Sequence, residues 1–380
     1  SIILIKAAKD PLKDAVIEIP IINGKFRHKI NIESPIGYDL MYGKARESGG
    51  RYMSVFLEEG EVNLKLYPED EWDKNTIKGG KVNADFEKFR IEKENKFMVK
   101  LESLGKKTQT LYDTKTYYTR EVNKLKQQYR NADDAHRESI DAKIDSLREI
   151  GAIQTPLAKK YETETAEINN EYKRWENEYI NKHSNIISYY LFLTDISFNM
   201  KNRDLKIVEN TYKRFRTKFP NHPYSKRIEV KLNSFKKLKA GKKFINFSAS
   251  DLKGDQQELS SLINGKVALL NLWATWCAPC LTKNKQVIPL YEKYKDQGFT
   301  IVGVAGEFKN TKTLKEFLKK EKYPWINLVE LNGANSIWEK YGIARAGGGM
   351  FLFDEHGDLL AKRPSIKEIE KILEEVLPEQ

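Results

Sequence analysis

The chain has two cysteines in 380 residues, three apart, in Trp273-Ala274-Thr275-Trp276-Cys277-Ala278-Pro279-Cys280. An unbroken apolar run, Val267-Ala268-Leu269-Leu270-Asn271-Leu272-Trp273, leads into them. Leu281 to Gln297 follows, with Leu281, Val287, Ile288, Leu290, Tyr291 and Tyr294 at helical spacing. The pattern predicts a buried strand that hands over to an amphipathic helix. Both cysteines then sit at a helix N-terminus, where unpaired N–H groups and the positive end of the macrodipole favour a thiolate. The thiolate is the nucleophilic form. A spacing of three puts both sulfurs on one face of the first turn, within bridging reach. Pro279 suits an early helical position, where its missing N–H costs little.

A zinc site would require two further Cys or His ligands nearby. There is no third Cys, and His28, His136, His183, His222 and His356 are scattered. The pair is therefore read as a redox dithiol, with no metal and no cofactor expected.

The rest of the chain divides by periodicity, and its length suits two or three domains. Residues 1–80 read as a β-sheet or sandwich domain. Strands are expected at Ser1–Ile5, Ala15–Ile22 and Lys25–Ile32, the last two joined by an Asn23-Gly24 hairpin turn. Arg51–Leu57 and Glu61–Tyr67 are expected to pair with each other across Glu59-Gly60. Residues 81–240 read as an α-helical region with a long hairpin, broken at Gly105, Gly151 and Pro156. The helix from Asn185 to Met200 is far more apolar than its neighbours and is expected at the buried centre of this region. The hairpin stripe is read as core, with dimerisation or docking as its alternative role. Residues 241–380 read as βαβα followed by ββα, an α/β domain with a parallel crossover. The fold class is thus multidomain: all-β, then α-helical, then α/β.

The net charge of +12 arises from Lys and Arg interleaved with Asp and Glu. That distribution favours solvated helix faces over a nucleic-acid surface, and no nucleic-acid partner is expected. No stretch approaches the roughly 18 apolar residues of a membrane span.

The run Gly265–Cys280, with Tyr291–Lys295, Gly298–Val304, Tyr341-Gly342-Ile343 and Phe351–Asp354, resembles the thioredoxin superfamily, and most closely the TlpA/ResA-like thiol-disulfide proteins of the bacterial envelope. The resemblance covers about 245–377. Residues 1–240 are similar, more loosely, to the β domain and helical linker that precede such proteins. The resemblance implies that Cys277, exposed, attacks a substrate disulfide and that Cys280, more buried, resolves the mixed disulfide. It implies that Trp276, Ala278 and Pro279 shape the site. Protein thiols and disulfides are the implied partners, with an unidentified redox donor. The implied location is the cell envelope, periplasm-facing, with a lipid anchor upstream of Ser1.

Three departures from that family pattern stand out. Ala346-Gly347-Gly348-Gly349-Met350 occupies the loop where a cis-proline is usual, with Gly348 at the proline position. A backbone of glycines does not enforce one path, which implies a looser substrate clamp. Asn271 stands where many thioredoxins carry a proton-accepting Asp. Lys283 stands where the group often has Glu, and its charge is a candidate for lowering the thiolate pKa. Glu307 is the candidate replacement acid, its alternative being an ordinary loop carboxylate. The Ala278-Pro279 pair resembles that of reducing members. The reading is a protein-disulfide reductase; the alternative is a non-catalytic partner-binding scaffold with a regulatory or metal-binding dithiol.

Overall fold

The computed structural model describes residues 1–6, 16–44, 50–200, 203–308, 310–343 and 347–377. Ala15 of the second expected strand and Ala346 of the glycine loop lie outside the described residues. Two compact units form: Ser1–Gly80 with Ser184–Gln380, and Lys81–His183.

In the first unit, β1 (Ile2–Lys6), β2 (Val16–Ile19), β3 (Ile36–Tyr42) and β4 (Met53–Leu57) form an antiparallel sheet ordered β2-β1-β3-β4. A separate two-stranded ribbon pairs β5 (Asn63–Lys65) with β6 (Thr76–Lys78). Three expectations change here. Asn23 and Gly24 do turn, at φ 50° and 72°, and Ile22 pairs with Lys25, but 26–32 forms no strand. Pro20 removes an N–H that the longer hairpin ladder would need. The Arg51–Leu57 strand pairs with β3, and the Glu61–Tyr67 strand with β6, so neither pairs with the other. Strand β3 itself is missed in the sequence because Gly37 and Asp39 interrupt its apolar pattern.

The second unit begins with α1 (Lys81–Lys93), which runs through a π turn at Glu94–Met98 into α2 (Val99–Asp113). Gly105 lies inside α2 and does not break it; a single exposed glycine costs a helix only about 1 kcal/mol. α3 (Arg120–Arg130) and α4 (Asp134–Glu149) make the expected hairpin. Gly151, at φ 69°, ends it. α5 (Pro156–Lys182), capped by Thr155, then returns antiparallel to α1 and α2. The seam between them is aromatic: Phe89 meets Trp175 and Tyr179, and Phe97 meets Tyr172 and Trp175.

Chain Ser184–Gln380 rejoins the first unit through α6 (Ile186–Asn199), α7 (Leu205–Lys218) and α8 (Pro223–Lys237). α6, the apolar helix, is buried along most of its length and meets the β1–β4 sheet. Tyr190 packs edge-on against Phe56 and its hydroxyl lies 2.7 Å from Ser54 Oγ. Tyr224 of α8 accepts the Gly37 N–H at 2.8 Å. A sheet covered by helices, rather than a second sheet, is thus what buries these strands.

The C-terminal domain comprises β7 (Ser248–Asp251), β8 (Gln256–Glu258), α9 (Leu259–Ile263), β9 (Val267–Trp273), α10 (Ala278–Tyr294), β10 (Phe299–Glu307), α11 (Lys312–Glu321), β11 (Ile326–Leu331), α12 (Ile337–Lys340), β12 (Gly349–Phe353), β13 (Leu359–Lys362) and α13 (Ile366–Val376). Its sheet is ordered β13-β12-β9-β10-β11-β7-β8, with β9, β10 and β11 parallel. β11 is absent from the sequence reading. Its apolar run is interrupted by Asn327 and Glu330, both of which are buried with partners.

His222 caps α8 and is buried. Its Nε2 donates to the Pro35 carbonyl at 2.9 Å and its Nδ1 accepts the Tyr224 N–H at 3.2 Å. The Nδ1 bond requires a neutral ring; burial pushes its pKa below the ordinary histidine value, and the Pro35 bond opposes that shift. The unfolded chain therefore takes this proton first as pH falls below about 6.5. Stability should drop between neutral pH and the lower folded-state value. Urea midpoints at pH 7.5 and 5.5 should show that loss in the wild type and a smaller one in His222→Asn.

Candidate functional site

Strand β9 places the dithiol. All seven of its residues are buried, and it is paired along both edges, parallel to β10 and antiparallel to β12. Trp273 ends the strand fully buried, its Nε1 donating to Asn327 Oδ1 at 3.1 Å. The chain then turns through Ala274 and Thr275 into α10, whose N-cap is Cys277. The Cys277 carbonyl accepts the Cys280 and Leu281 N–H groups at 2.9 and 3.1 Å. Cys277 and Cys280 are joined by a disulfide, with Cα atoms 5.3 Å apart. Pro279 lies in the first turn of the helix, and both Ala278 and Pro279 are exposed.

The resemblance implies an exposed Cys277 and a more buried Cys280. In the disulfide form Cys277 is 4% and Cys280 8% exposed, so both are buried and their order is reversed. The N-cap position draws Cys277 into the core cluster that surrounds β9. The large exposed side chain of the motif is Trp276, at 39%. Its ring stacks on Phe308 and lies tilted against Trp338, and its Nε1 donates to the Gly306 carbonyl at 3.1 Å. Gly306 makes room for this: a Cβ there would fall 2.7 Å from the Trp338 ring. Trp338 is held from below by Glu330, a buried strand carboxylate that accepts the Ile337 and Trp338 N–H groups at 2.6 and 3.1 Å.

Glu307 sits at the end of β10 and is 5% exposed. Its carboxylate accepts the Thr275 N–H at 2.8 Å and the Thr275 hydroxyl at 2.9 Å. Burial raises its pKa, and the two Thr275 bonds oppose the rise. The turn that delivers Cys277 is thus tied to the neighbouring strand through this carboxylate. Asn271 donates to Asn284 Oδ1 at 2.9 Å across a fully buried contact. Lys283 is exposed on α10. Among the described residues no hydrogen bond or ion pair joins it to the dithiol.

The glycine loop reaches the sulfurs directly. The Gly348 N–H donates to Cys280 Sγ at 3.1 Å, and Gly349 opens β12 opposite Leu272. Thr275, Phe308, Glu330 and Trp338 are the site residues that sequence reading missed. A Glu inside a strand was the available signal for Glu330; the other three come together only through tertiary packing.

The parallel strands, the N-capping dithiol and the following helix define a thioredoxin-like domain. Residues 240–362 match the AhpC/TSA family model, and residues 8–86 match a domain of unknown function, DUF4369. The thiol-disulfide oxidoreductase ResA of Bacillus cereus strain ZK / E33L is 32% identical over 147 residues, 37% of this chain and 81% of that protein. ResA of Bacillus thuringiensis subsp. konkukian is 29% identical over 147 residues, with the same shares. The crystal structure of a thioredoxin domain of a Bacteroides vulgatus thiol-disulfide oxidoreductase is 25% identical and covers 36% of this chain and 98% of its own, with a TM-score of 0.33. Through its C-terminal domain the chain belongs to the ResA/TlpA-like thiol-disulfide oxidoreductases.

The Thr275–Glu307 tie generates a measurable expectation. Glu307→Ala leaves the buried Thr275 N–H without its acceptor, a loss of about 1–3 kcal/mol. Glu307→Gln keeps one acceptor and removes the buried charge, so it should lose less. Urea denaturation of the two variants beside the wild type checks the order.

Proposed function

We propose that this chain reduces protein disulfides in the bacterial cell envelope. The observation that carries the reading is the dithiol itself: two cysteines three apart, one of them the N-cap of a helix that follows a buried strand. The reduced form starts the cycle. The Cys277 thiolate attacks a substrate disulfide and displaces one substrate thiolate. Cys280 then loses its proton to solvent, attacks Cys277 Sγ and releases the second substrate thiol. The substrate gains two electrons, and Cys277 and Cys280 end as the disulfide. A thiol donor must reduce that disulfide before the next turnover.

Within this reading Trp276, with Phe308 and Trp338 beneath it, offers an aromatic face next to the sulfurs. Ala278 and Pro279, exposed in the first turn, shape the approach. Lys283 and Glu307 are carried as groups that tune the thiolates, Glu307 through the Thr275 turn. The envelope location and a lipid anchor upstream of Ser1 rest on kinship with the ResA-like group. No described helix is long and apolar enough to cross a membrane.

A second reading is favoured by one observation, the burial of both cysteines. On it the chain is a partner-binding scaffold whose disulfide is regulatory. Insulin reduction separates the two. The wild type should precipitate insulin chains in the presence of dithiothreitol well above background, and Cys277→Ser should fall to background. Equal rates for the two proteins would sink the reductase reading. In parallel, Cys280→Ser should hold a substrate on Cys277 as a mixed disulfide that reductant releases.

A further inference from the structure

We infer that the backbone N–H of Gly348 is the group that stabilises the Cys280 thiolate, and so sets the rate at which the mixed disulfide resolves. One observation and two general rules carry it. The N–H points at Cys280 Sγ from 3.1 Å. An amide donor on an anionic sulfur makes a charge-assisted bond, stronger than the same donor on a neutral one. Hydrogen bonds to the charged form of a group lower the cost of charging it.

The position admits glycine alone. A Cβ at residue 348 would fall 1.8 Å from the Leu272 carbonyl oxygen and 2.9 Å from Cys280 Sγ. Any side chain would push the loop off β9 and carry the N–H away from the sulfur. Proline, which the family resemblance puts here, has no N–H to give. This chain therefore has a donor where a ring would otherwise close the site. The donor is also fixed in place. The next residue, Gly349, pairs with Leu272 of the central strand, so the amide is oriented before reaction and needs no reorganisation.

The other candidate groups act on Cys280, if at all, from further away. Asn271 carries no acidic group and is bonded to Asn284. Glu307 is bonded to Thr275 through both carboxylate oxygens. Lys283 is exposed. Among the described residues, none of these three side chains is bonded to Cys280, whereas the Gly348 amide is. Gly348 acts through Cys280 and is a positioning residue, not a nucleophile or a base. In the resolving step the Cys280 proton goes to solvent, the Cys280–Cys277 bond forms and the Cys277–substrate bond breaks. The departing substrate thiolate is then protonated. In the reverse direction Cys280 is the leaving group, and the same amide stabilises it.

The inference rests on the dithiol chemistry proposed above, but its test does not depend on turnover. Glycolic acid placed at position 348 of the full chain by nonsense suppression turns the amide into an ester. The N–H is lost and no Cβ is added. In a Cys277→Ser background, thiolate absorbance should show Cys280 ionising at higher pH in the ester than in the amide. With both cysteines present and below the pH at which Cys280 ionises, release of substrate from a preformed Cys277 mixed disulfide should slow about threefold, the scarcer thiolate being also the more nucleophilic. Above the pH at which Cys280 ionises, the equilibrium with glutathione should move about tenfold toward the disulfide. That is a midpoint lower by ~30 mV for this two-electron couple.

A second measurement needs no change at residue 348. In Cys277→Ser labelled with [15N]glycine, the Gly348 amide proton should move downfield along the Cys280 titration curve. A Gly348 resonance indifferent to that titration, or an ester variant with unchanged ionisation and release, would overturn the inference. An inert wild type in the insulin assay would instead sink the reductase reading and leave the ionisation result standing.

Discussion

Two backbone ladders on a single strand determine the arrangement at the dithiol. β9 pairs with β10 on one edge and β12 on the other, and each ladder delivers a different part of the site. β9 runs into the turn that carries Cys277. β10 brings Gly306 and Glu307 under that turn. β12 starts at Gly349, directly after the Gly348 amide that reaches Cys280. The register is pinned by burial: Leu269, Leu270, Leu272 and Trp273 are each 0–1% exposed. Each such side chain contributes about 1.5–3 kcal/mol relative to exposure. A slip of one residue would exchange the side chains packed on the two buried faces, Leu269 and Trp273 on one and Leu270 and Leu272 on the other, so the position of the sulfurs inherits the precision of the core.

Polar groups buried beside this core act as spacers for the site. Asn327 fixes the Trp273 ring, Glu330 caps α12 and seats Trp338, and Glu307 ties down Thr275. Each is satisfied by directed bonds, which is the condition under which a buried polar group does not destabilise. Glu307 and Glu330 each join the end of a strand to the turn or helix lying over it, while Asn327 joins β11 to the end of β9. The aromatic face of Trp276, Phe308 and Trp338 is then an outcome of backbone capping as much as of ring packing.

The dithiol, the strand before it and the helix after it were legible in the sequence because they are local: an apolar run, a fixed spacing and a helical period. The turn at Asn23-Gly24 was legible for the same reason. What was missed was non-local. β3 and β11 are central strands whose apolar patterns are broken by Gly37 and Asp39, and by Asn327 and Glu330. Those residues are tolerated because each finds a partner outside its own strand: Gly37 and Asn327 far along the chain, Asp39 on the next strand and Glu330 on the helix that follows. The pairing of β4 with β3, rather than with the next strand, is equally invisible to local pattern. So is the burial of Cys277, which depends on how the helix N-terminus meets the core.

Helix α8 connects the site to the N-terminal sheet. At its start, His222 and Tyr224 bond Pro35 and Gly37 of the sheet. Toward its end, the Ser234 hydroxyl donates to the Glu339 carbonyl of α12 at 3.1 Å. α12 carries Trp338, which lies against Trp276. A continuous chain of packed and hydrogen-bonded groups therefore runs from the β1–β4 sheet to the aromatic face beside the sulfurs. Short directed bonds at both ends of one helix leave little room for the sheet to move without moving α12. The sheet is in this sense part of the support of the redox site, which gives a physical reason for the two to share one compact unit while Lys81–His183 forms another.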